Sequence, residues 1–245
     1  MTGAGGASGG GAAAAATGSG VAVLRFPLRG EWTALRTSHG TDFLGQRHAY
    51  DFVRPTGRRW APFGPWATAH AFGAVPAAAF AAWDAPVVAA HGGRVAVAAD
   101  GWPDRRWCNA PWDLARLRVF ERFHPIRMAV TDWRPLAGNH VLVEGDEGVT
   151  MYAHLRCGSL RVQPGDAVAA GEPLGAVGHS GRSTMPHLHF QLMDCADGLR
   201  AHGIPCAFAG LEEWNGGVWR PVAGIPSAGR RIRPGPEGDT PGRRG

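Results

Sequence analysis

A chain of 245 residues, 44% of them apolar, has material for one domain with embellishments and a real core. All 25 basic residues are arginine, and the absence of lysine excludes a carrier domain that holds its cofactor on a lysine side chain. The formal charge is +5, but Arg230, Arg231, Arg233, Arg243 and Arg244 against Glu237 and Asp239 put +3 of it in residues 229–245; the other +2 is too weak a bias to argue for nucleic acid.

In chain order, residues 1–20 are Gly, Ala, Ser and Thr after Met1 and cannot bury enough surface to order themselves. No arginine precedes Arg25, so the start does not read as a signal peptide, and no apolar run is long enough to span a bilayer. The default location is cytoplasmic, or the cell envelope by another route. An entry strand begins at Val21 and ends near Gly30. In Ser38–Val53, His39 sits beside Gly40 in a turn-like setting, and Ala49–Val53 reads as a strand with Ala49, Asp51 and Val53 on one face. An aspartate between apolar strand residues is costly to bury unless an arginine or a metal neutralises it. Residues 59–84 look like an insertion with a short helix around Pro76–Ala82. Strands resume at Pro86–Ala90 and Gly93–Ala99, and a second insertion over 100–135 carries a helical pattern from Pro111 to Phe123.

Asn139–Glu144 and Val149–Leu155 alternate around Gly145-Asp146-Glu147-Gly148, a β-hairpin pattern. Alternation puts Tyr152 and His154 on one face and Met151, Ala153 and Leu155 on the other. Pro164-Gly165-Asp166 and Ala170-Gly171-Glu172 are turns, and Gly178-His179-Ser180-Gly181 is a loop. Pro186–Leu192 is a strand with Leu188, Phe190 and Leu192 on one face and His187, His189 and Gln191 on the other. Residues 194–227 read as an edge strand or irregular cover, and 229–245 as a disordered Gly/Pro/Arg tail. The domain is thus expected over 21–228. Its class is all-β, mainly antiparallel: a sandwich or open barrel with an irregular or short-helical insertion.

Two imidazoles on one rigid strand point to metal binding or proton transfer, since imidazole is a common metal ligand and titrates near neutrality. A catalytic zinc takes three N, O or S ligands and keeps a position for water. The candidates are His39, Asp51, His154, His187 and His189; there is no HExxH helix. Cys108, Cys157, Cys195 and Cys206 lack CxxC spacing and form a poor zinc cluster; a Cys195–Cys206 bridge and free thiols are both open. His70, His91, His124 and His202 read as solvated loop residues, and His140 and His179 as wall or surface near the site.

Ser38-His39-Gly40 with Gly45–Val53, Met151-Tyr152-Ala153-His154-Leu155 and Pro186-His187-Leu188-His189-Phe190 resemble, in order, the three motifs of the lysostaphin-type (LytM-like) zinc metallopeptidases. Gly138-Asn139-His140-Val141 and Gly171-Glu172-Pro173-Leu174-Gly175 follow the same pattern. The resemblance implies one zinc ion on His39, Asp51 and His189. It implies that His154 and His187 act on the attacking water and the developing oxyanion, in hydrolysis of peptide bonds of peptidoglycan stems or cross-bridges. Tyr152, expected on the face of His154, is a candidate substrate contact or a packing residue. One departure concerns the first motif. The common pattern spaces its His and Asp four residues apart; here His39 and Asp51 are twelve apart, as in a subgroup with widely spaced ligands. His48 is the rival ligand, but three residues from Asp51 it falls on the opposite face of a continuous strand. The reading from another class is a non-catalytic LytM-like binding or regulatory module of the cell envelope.

Overall fold

The computed structural model of the chain describes residues 21–36, 43–54, 73–123, 132–222 and 224–236. Its strands begin with β1 (Ala22–Leu24), β2 (Trp32–Arg36), β3 (Tyr50–Val53), β4 (Val75–Pro76), β5 (Pro86–Val88), β6 (Gly93–Ala99) and β7 (Trp107–Cys108). Helices α1 (Ala110–Phe123) and α2 (Arg134–Ala137) follow, then β8 (Asn139–Gly145), β9 (Gly148–Leu155), β10 (Ala167–Val168), β11 (Pro173–Ala176) and β12 (Leu188–Met193). The chain closes with β13 (Gly203–Ile204), β14 (Cys206–Phe208), β15 (Leu211–Asn215), β16 (Val218–Pro221) and β17 (Arg231–Pro234).

One open antiparallel sheet organises these, in the order β10-β6-β8-β9-β12-β3-β2-β17-β15-β16, with β13 paired to the end of β12 beyond β3. The expected all-β, mainly antiparallel architecture holds, and the sheet does not close into a barrel. Period-two alternation assigns its two faces. Trp32, Ala34, Tyr50, Phe52, Val141, Val143, Tyr152, Leu188, Phe190 and Leu192 point to one side. There they pack with Leu24, Phe26 and Phe208 and with Val87 and Leu174 of the small β5–β11 pair. Phe208 sits 5.4–5.8 Å, ring centroid to centroid, from Phe26, Tyr50, Phe52 and Phe190. The other side carries a smaller cluster of Leu142, Val149, Met151, Ala153 and Met193, and beside it the site.

The hairpin and the α1 helix fall where the local patterns put them; the strand expected from Pro186 begins at Leu188, so His187 precedes it. Helix α1 starts where it does because Asn109 caps it: its Oδ1 accepts the Trp112 amide at 2.9 Å, and Asp113 Oδ2 accepts the Asn109 amide at 2.9 Å. The entry strand is shorter than expected, because β1 ends at Leu24 and the chain turns at Gly30 (φ 78) into β2. The short helix expected at Pro76–Ala82 is a 3-10 turn over Ala77–Ala79. Residues 1–20, and with them the expectation of disorder, lie outside the described residues, as do His39, His70 and His124. All four cysteines are free thiols. Among the described residues no helix is long and apolar enough to cross a membrane.

Two expectations are corrected. The tail drawn from residue 229 begins inside the fold, while residues 194–227, read as an edge strand or irregular cover, contribute β13 to β16, with β16 at the sheet's edge. Strand β17 joins β2 to β15, and Ile232 is fully buried in the core. A Gly/Pro/Arg composition reads as disorder, yet one apolar residue at the right register suffices when neighbouring strands supply hydrogen bonds. Arg233 also stacks 4.3 Å over the Trp219 ring. Burying Ile232 alone is worth about 1.5–3 kcal/mol, and 1 kcal/mol moves Tm by about 2–4 °C at this size. Truncation after residue 228 is therefore expected to lower Tm by at least about 3 °C in calorimetry; an unchanged melt would contradict the role of β17. The second correction is His91, which is buried rather than solvated: Thr150 Oγ1 lies 2.9 Å from its Nε2, beneath the β8–β9 hairpin.

Candidate metal and catalytic site

Strand register builds the site. β12 lies between β9 and β3, so His189 stands opposite Asp51 on one side and Ala153 on the other. Residues directly opposite in a sheet share a face, which brings Asp51 and His189 together across 138 residues of chain. His189 Nδ1 is 2.9 Å from Asp51 Oδ1. Its Nε2 donates to Gln191 Oε1 at 2.8 Å, and the Gln191 amide nitrogen is anchored on the Leu44 carbonyl at 2.8 Å. Gln191 thus orients the His189 ring with Nδ1 toward Asp51, as partners of metal-binding histidines do. Leu44 can offer that carbonyl because the chain kinks there in left-handed conformations, Leu44 φ 55 and Gly45 φ 69.

Burial works against the charged form of Asp51. The neighbouring His187 and His189 outweigh it, holding the carboxyl well below the usual carboxylate range. Burial lowers the pKa of His189 too, but the hydrogen bond and charge of Asp51 and the Gln191 carbonyl bring the balance above the ordinary value.

His187 precedes β12. Its Nδ1 is 2.7 Å from the Met185 carbonyl and 3.2 Å from Ser183 Oγ, and its Nε2 is 3.5 Å from Asp51 Oδ1. His154 arrives by a different device. Val141 pairs with Tyr152 and Asn139 with Leu155, so the single residue His140 of β8 faces two residues of β9, Ala153 and His154. This is a β-bulge, and His154 takes the left-handed conformation within it (φ 61). The extra residue turns His154 to the face of His187 and His189, with ring centroids 4.8 and 6.0 Å away. Its Nδ1 donates to the Ser180 carbonyl at 3.0 Å. Burial pushes its pKa well below the ordinary value, reinforced by His187 and His189, while Asp51 and the Ser180 carbonyl pull the other way. Two glycines make the Ser180 loop possible: Gly138 (φ 64) and Gly181 (φ 63) press together so closely that a Cβ on Gly181 would lie 2.2 Å from the Gly138 nitrogen.

The bulge overturns the expected facing of Tyr152, which lies on the opposite side of the sheet from His154. Its ring is fully buried in the main core, and its hydroxyl accepts from the Ala90 amide at 2.7 Å and from Thr150 Oγ1 at 3.1 Å. A substrate contact from that position is closed off. Tyr152→Phe is expected to cost about 1–3 kcal/mol by leaving the buried Ala90 N–H without its acceptor. Turnover should be unchanged; a variant of native stability with impaired turnover would return Tyr152 to the site.

His48 is also placed differently from expectation. It ends the 3-10 turn Phe43–His48 and is not in the strand, because the Ala49 amide bonds back to the Gln46 carbonyl at 3.0 Å before β3 begins. An argument from strand alternation therefore does not apply to it. His39 lies outside the described residues, and among those described no three His, Cys, Asp or Glu side chains form a complete metal cage. What is present suits a zinc ion in chemistry and spacing. One carboxylate oxygen and one imidazole nitrogen 2.9 Å apart can both reach a metal at about 2.0–2.2 Å, and the carboxylate otherwise sits half-buried among imidazoles. His140 and His179 form the walls: both are buried, His140 bonding the Gly138 carbonyl at 2.9 Å. His202, at 71% side-chain exposure, is solvated as expected.

Comparison with known proteins adds the following. Residues 127–200 match Peptidase family M23, a segment that contains His154, His187 and His189 but not Asp51 or His39. Over 67 residues, 27% of this chain, it is 37% identical to the peptidoglycan DD-endopeptidase ShyA of Vibrio cholerae. Over 55 residues, 22% of the chain, it is 47% identical to the DD-carboxypeptidase/endopeptidase Mpg of Neisseria meningitidis. The matched segments span 15% and 12% of those two relatives. The catalytic domain of lysostaphin from Staphylococcus simulans superposes with a TM-score of 0.35 at 19% identity, over 74% of this chain and 86% of that one. The sequence matches bear out the resemblance to the lysostaphin-type, LytM-like peptidases over the segment they cover.

Proposed function

We propose that this LytM-like chain is a zinc metalloendopeptidase that hydrolyses peptide bonds of peptidoglycan stems or cross-bridges. One observation supports the reading above the others. His154 and His187 each have Nδ1 against a backbone carbonyl, at 3.0 and 2.7 Å, beside the Asp51–His189 pair: His187 Nε2 is 3.5 Å from Asp51 Oδ1 and the His154 ring 6.0 Å from that of His189. Asp51, His189 and His39 would hold the metal, with His48 as the alternative to His39. When bound, zinc supplies Lewis acidity toward a carbonyl and acidifies water from about 15.7 toward 7. The rest is the work of the chain. A neutral imidazole with a free Nε2 takes the proton of an attacking water and returns it to the leaving amine, and the same nitrogens, once protonated, stabilise a developing oxyanion. Burial keeps His154 neutral and so fit for the base role. A binding module would have no use for two imidazoles held in one tautomer around a half-buried carboxylate.

The test pairs elemental analysis of the purified chain with digestion of purified peptidoglycan, followed by chromatography of released fragments. One zinc per chain and new free amines at cross-links are expected. Stoichiometric zinc without any cleavage would move the reading to the binding module, and absence of metal would end it.

A further inference from the structure

We propose that helix α1, with Trp107 just before it, is an interfacial element that lays the protein on an anionic lipid surface; the proposal does not depend on the peptidase reading. Among the described residues seven large apolar side chains are exposed, and four of them, Trp107, Trp112, Leu114 and Val119, fall within residues 107–119. Trp112 is 72% exposed and the other three 55–57%, so each keeps most of its surface in water. Single apolar residues on a surface mean little, but a concentration of them marks an interaction site.

The local structure turns these side chains outward. In β7, Cys108 is buried in the small cluster with Val75, Ala77 and Phe80, and Trp107 takes the other side of the strand. Of the described side chains of α1, Pro111–Arg116 and Val119, only Asp113 is buried. Asp113 pins the helix to the body. Its Oδ2 accepts the Asn109 amide at 2.9 Å, and its Oδ1 lies 3.7 Å from Arg105 Nε. Arg105 in turn donates Nη1 to the Gly181 carbonyl at 2.6 Å and Nη2 to the Ser183 carbonyl. Successive residues stand about 100° apart around a helix, so the half centred opposite Asp113 takes Pro111, Trp112, Leu114, Ala115 and Val119. Every one of these is exposed.

Charge selects the partner. Residues 105–120 carry four arginines against one acid, and that acid, Asp113, is buried beside Arg105. Arg106 and Arg116 are exposed, and the register places positions 118 and 122, both arginine, on the outward half. An apolar strip with tryptophan, edged by arginine and without an exposed carboxylate, is the composition of a helix that lies in the headgroup plane. Indole suits that boundary, with an apolar body and a polar N–H, and arginine can lay its stem on the apolar side while its head meets phosphate. At 14 residues, about 21 Å, the helix lies on a bilayer and does not cross it. A second copy fits less well, since a two-fold contact through this face would set like charges together. A glycan fits less well too, because the described side chains of the outward half offer its hydroxyls only an indole N–H.

The experiment is co-sedimentation of the full chain with vesicles of phosphatidylcholine alone and of phosphatidylcholine mixed with phosphatidylglycerol, beside a melt of each variant. Wild type should bind the mixed vesicles at least about tenfold more tightly than the neutral ones. Trp112→Ser combined with Val119→Ser should weaken that binding at least about tenfold. Arg106→Gln and Arg116→Gln should each weaken it about fivefold, the effect of about 1 kcal/mol per arginine. The substituted side chains are exposed, so Tm should hold; if the serine pair fails to fold, the two arginine variants decide. A wild type left in the supernatant with mixed vesicles, or binding that all these variants leave unchanged, would overturn the proposal. So would a face that serves another partner: retention on purified peptidoglycan, or a dimer, lost in the serine pair while no vesicle binding is seen. Hydrolysis plays no part in the readout, so failure of the peptidase reading leaves this test standing.

Discussion

His189→Ala is expected to yield a chain without stoichiometric zinc and without detectable hydrolysis of peptidoglycan. The imidazole Nδ1 is 2.9 Å from Asp51 Oδ1, and Gln191 holds the other ring nitrogen at 2.8 Å, so the ring is oriented for one task. A structural zinc site is worth on the order of 10 kcal/mol in full, and removing one of the three proposed ligands should leave at best a far weaker site. The loss is not confined to the metal, since alanine also leaves the Asp51 charge with one imidazole partner fewer in half-buried surroundings. Elemental analysis with a melt in the same buffer separates the two effects. Unchanged zinc in a folded His189→Ala chain would remove His189 from the ligand set. The companion pair His39→Ala and His48→Tyr decides the third ligand: zinc lost in the first and kept in the second is expected, and the reverse would assign His48.

His154→Ala and His187→Ala should each keep zinc while losing about 10²–10⁴-fold in kcat, the usual contribution of a positioned acid–base group. On the barrier this is about 3–5 kcal/mol. On the proposed ligand set of His39, Asp51 and His189 neither side chain is needed to hold the metal, and both reach the site by backbone devices that an alanine tolerates in part. The His154 position is left-handed (φ 61), so a second variant, His154→Asn, controls for the backbone, because asparagine adopts that conformation more readily than alanine. Zinc content equal to wild type with turnover near wild type in either alanine variant would remove that histidine from the chemistry. Loss of zinc in His187→Ala would instead make His187 a ligand, which its Nε2, 3.5 Å from Asp51 Oδ1, would permit.

The sequence by itself determined whatever depends on residues adjacent in the chain. In Leu188–Met193 the period of a strand is two, so Leu188, Phe190 and Leu192 had to go one way and His189 and Gln191 the other, and they do. The Gly145–Gly148 turn, the strand around Asp51 and the helical run from Pro111 to Phe123 are local in the same sense. The tertiary structure alone decided what depends on a partner strand. The facing of His154 rests on one residue of β8 opposing two of β9. Alternation read along β9 cannot register that mismatch, and it put Tyr152 on the face of His154, whereas Tyr152 lies in the core and His154 shares the site's face with Ala153. Strand β17 exists because β2 and β15 offer hydrogen bonds on both sides of Ile232, a circumstance invisible in a run of Gly, Pro and Arg. Arg105 meets Gly181 and Ser183 across 76 and 78 residues, and no pattern within its own segment points there. Side-chain periodicity is a property of the chain's own geometry, whereas register, bulges and buried polar contacts are set between segments, and so they appear only when the segments meet.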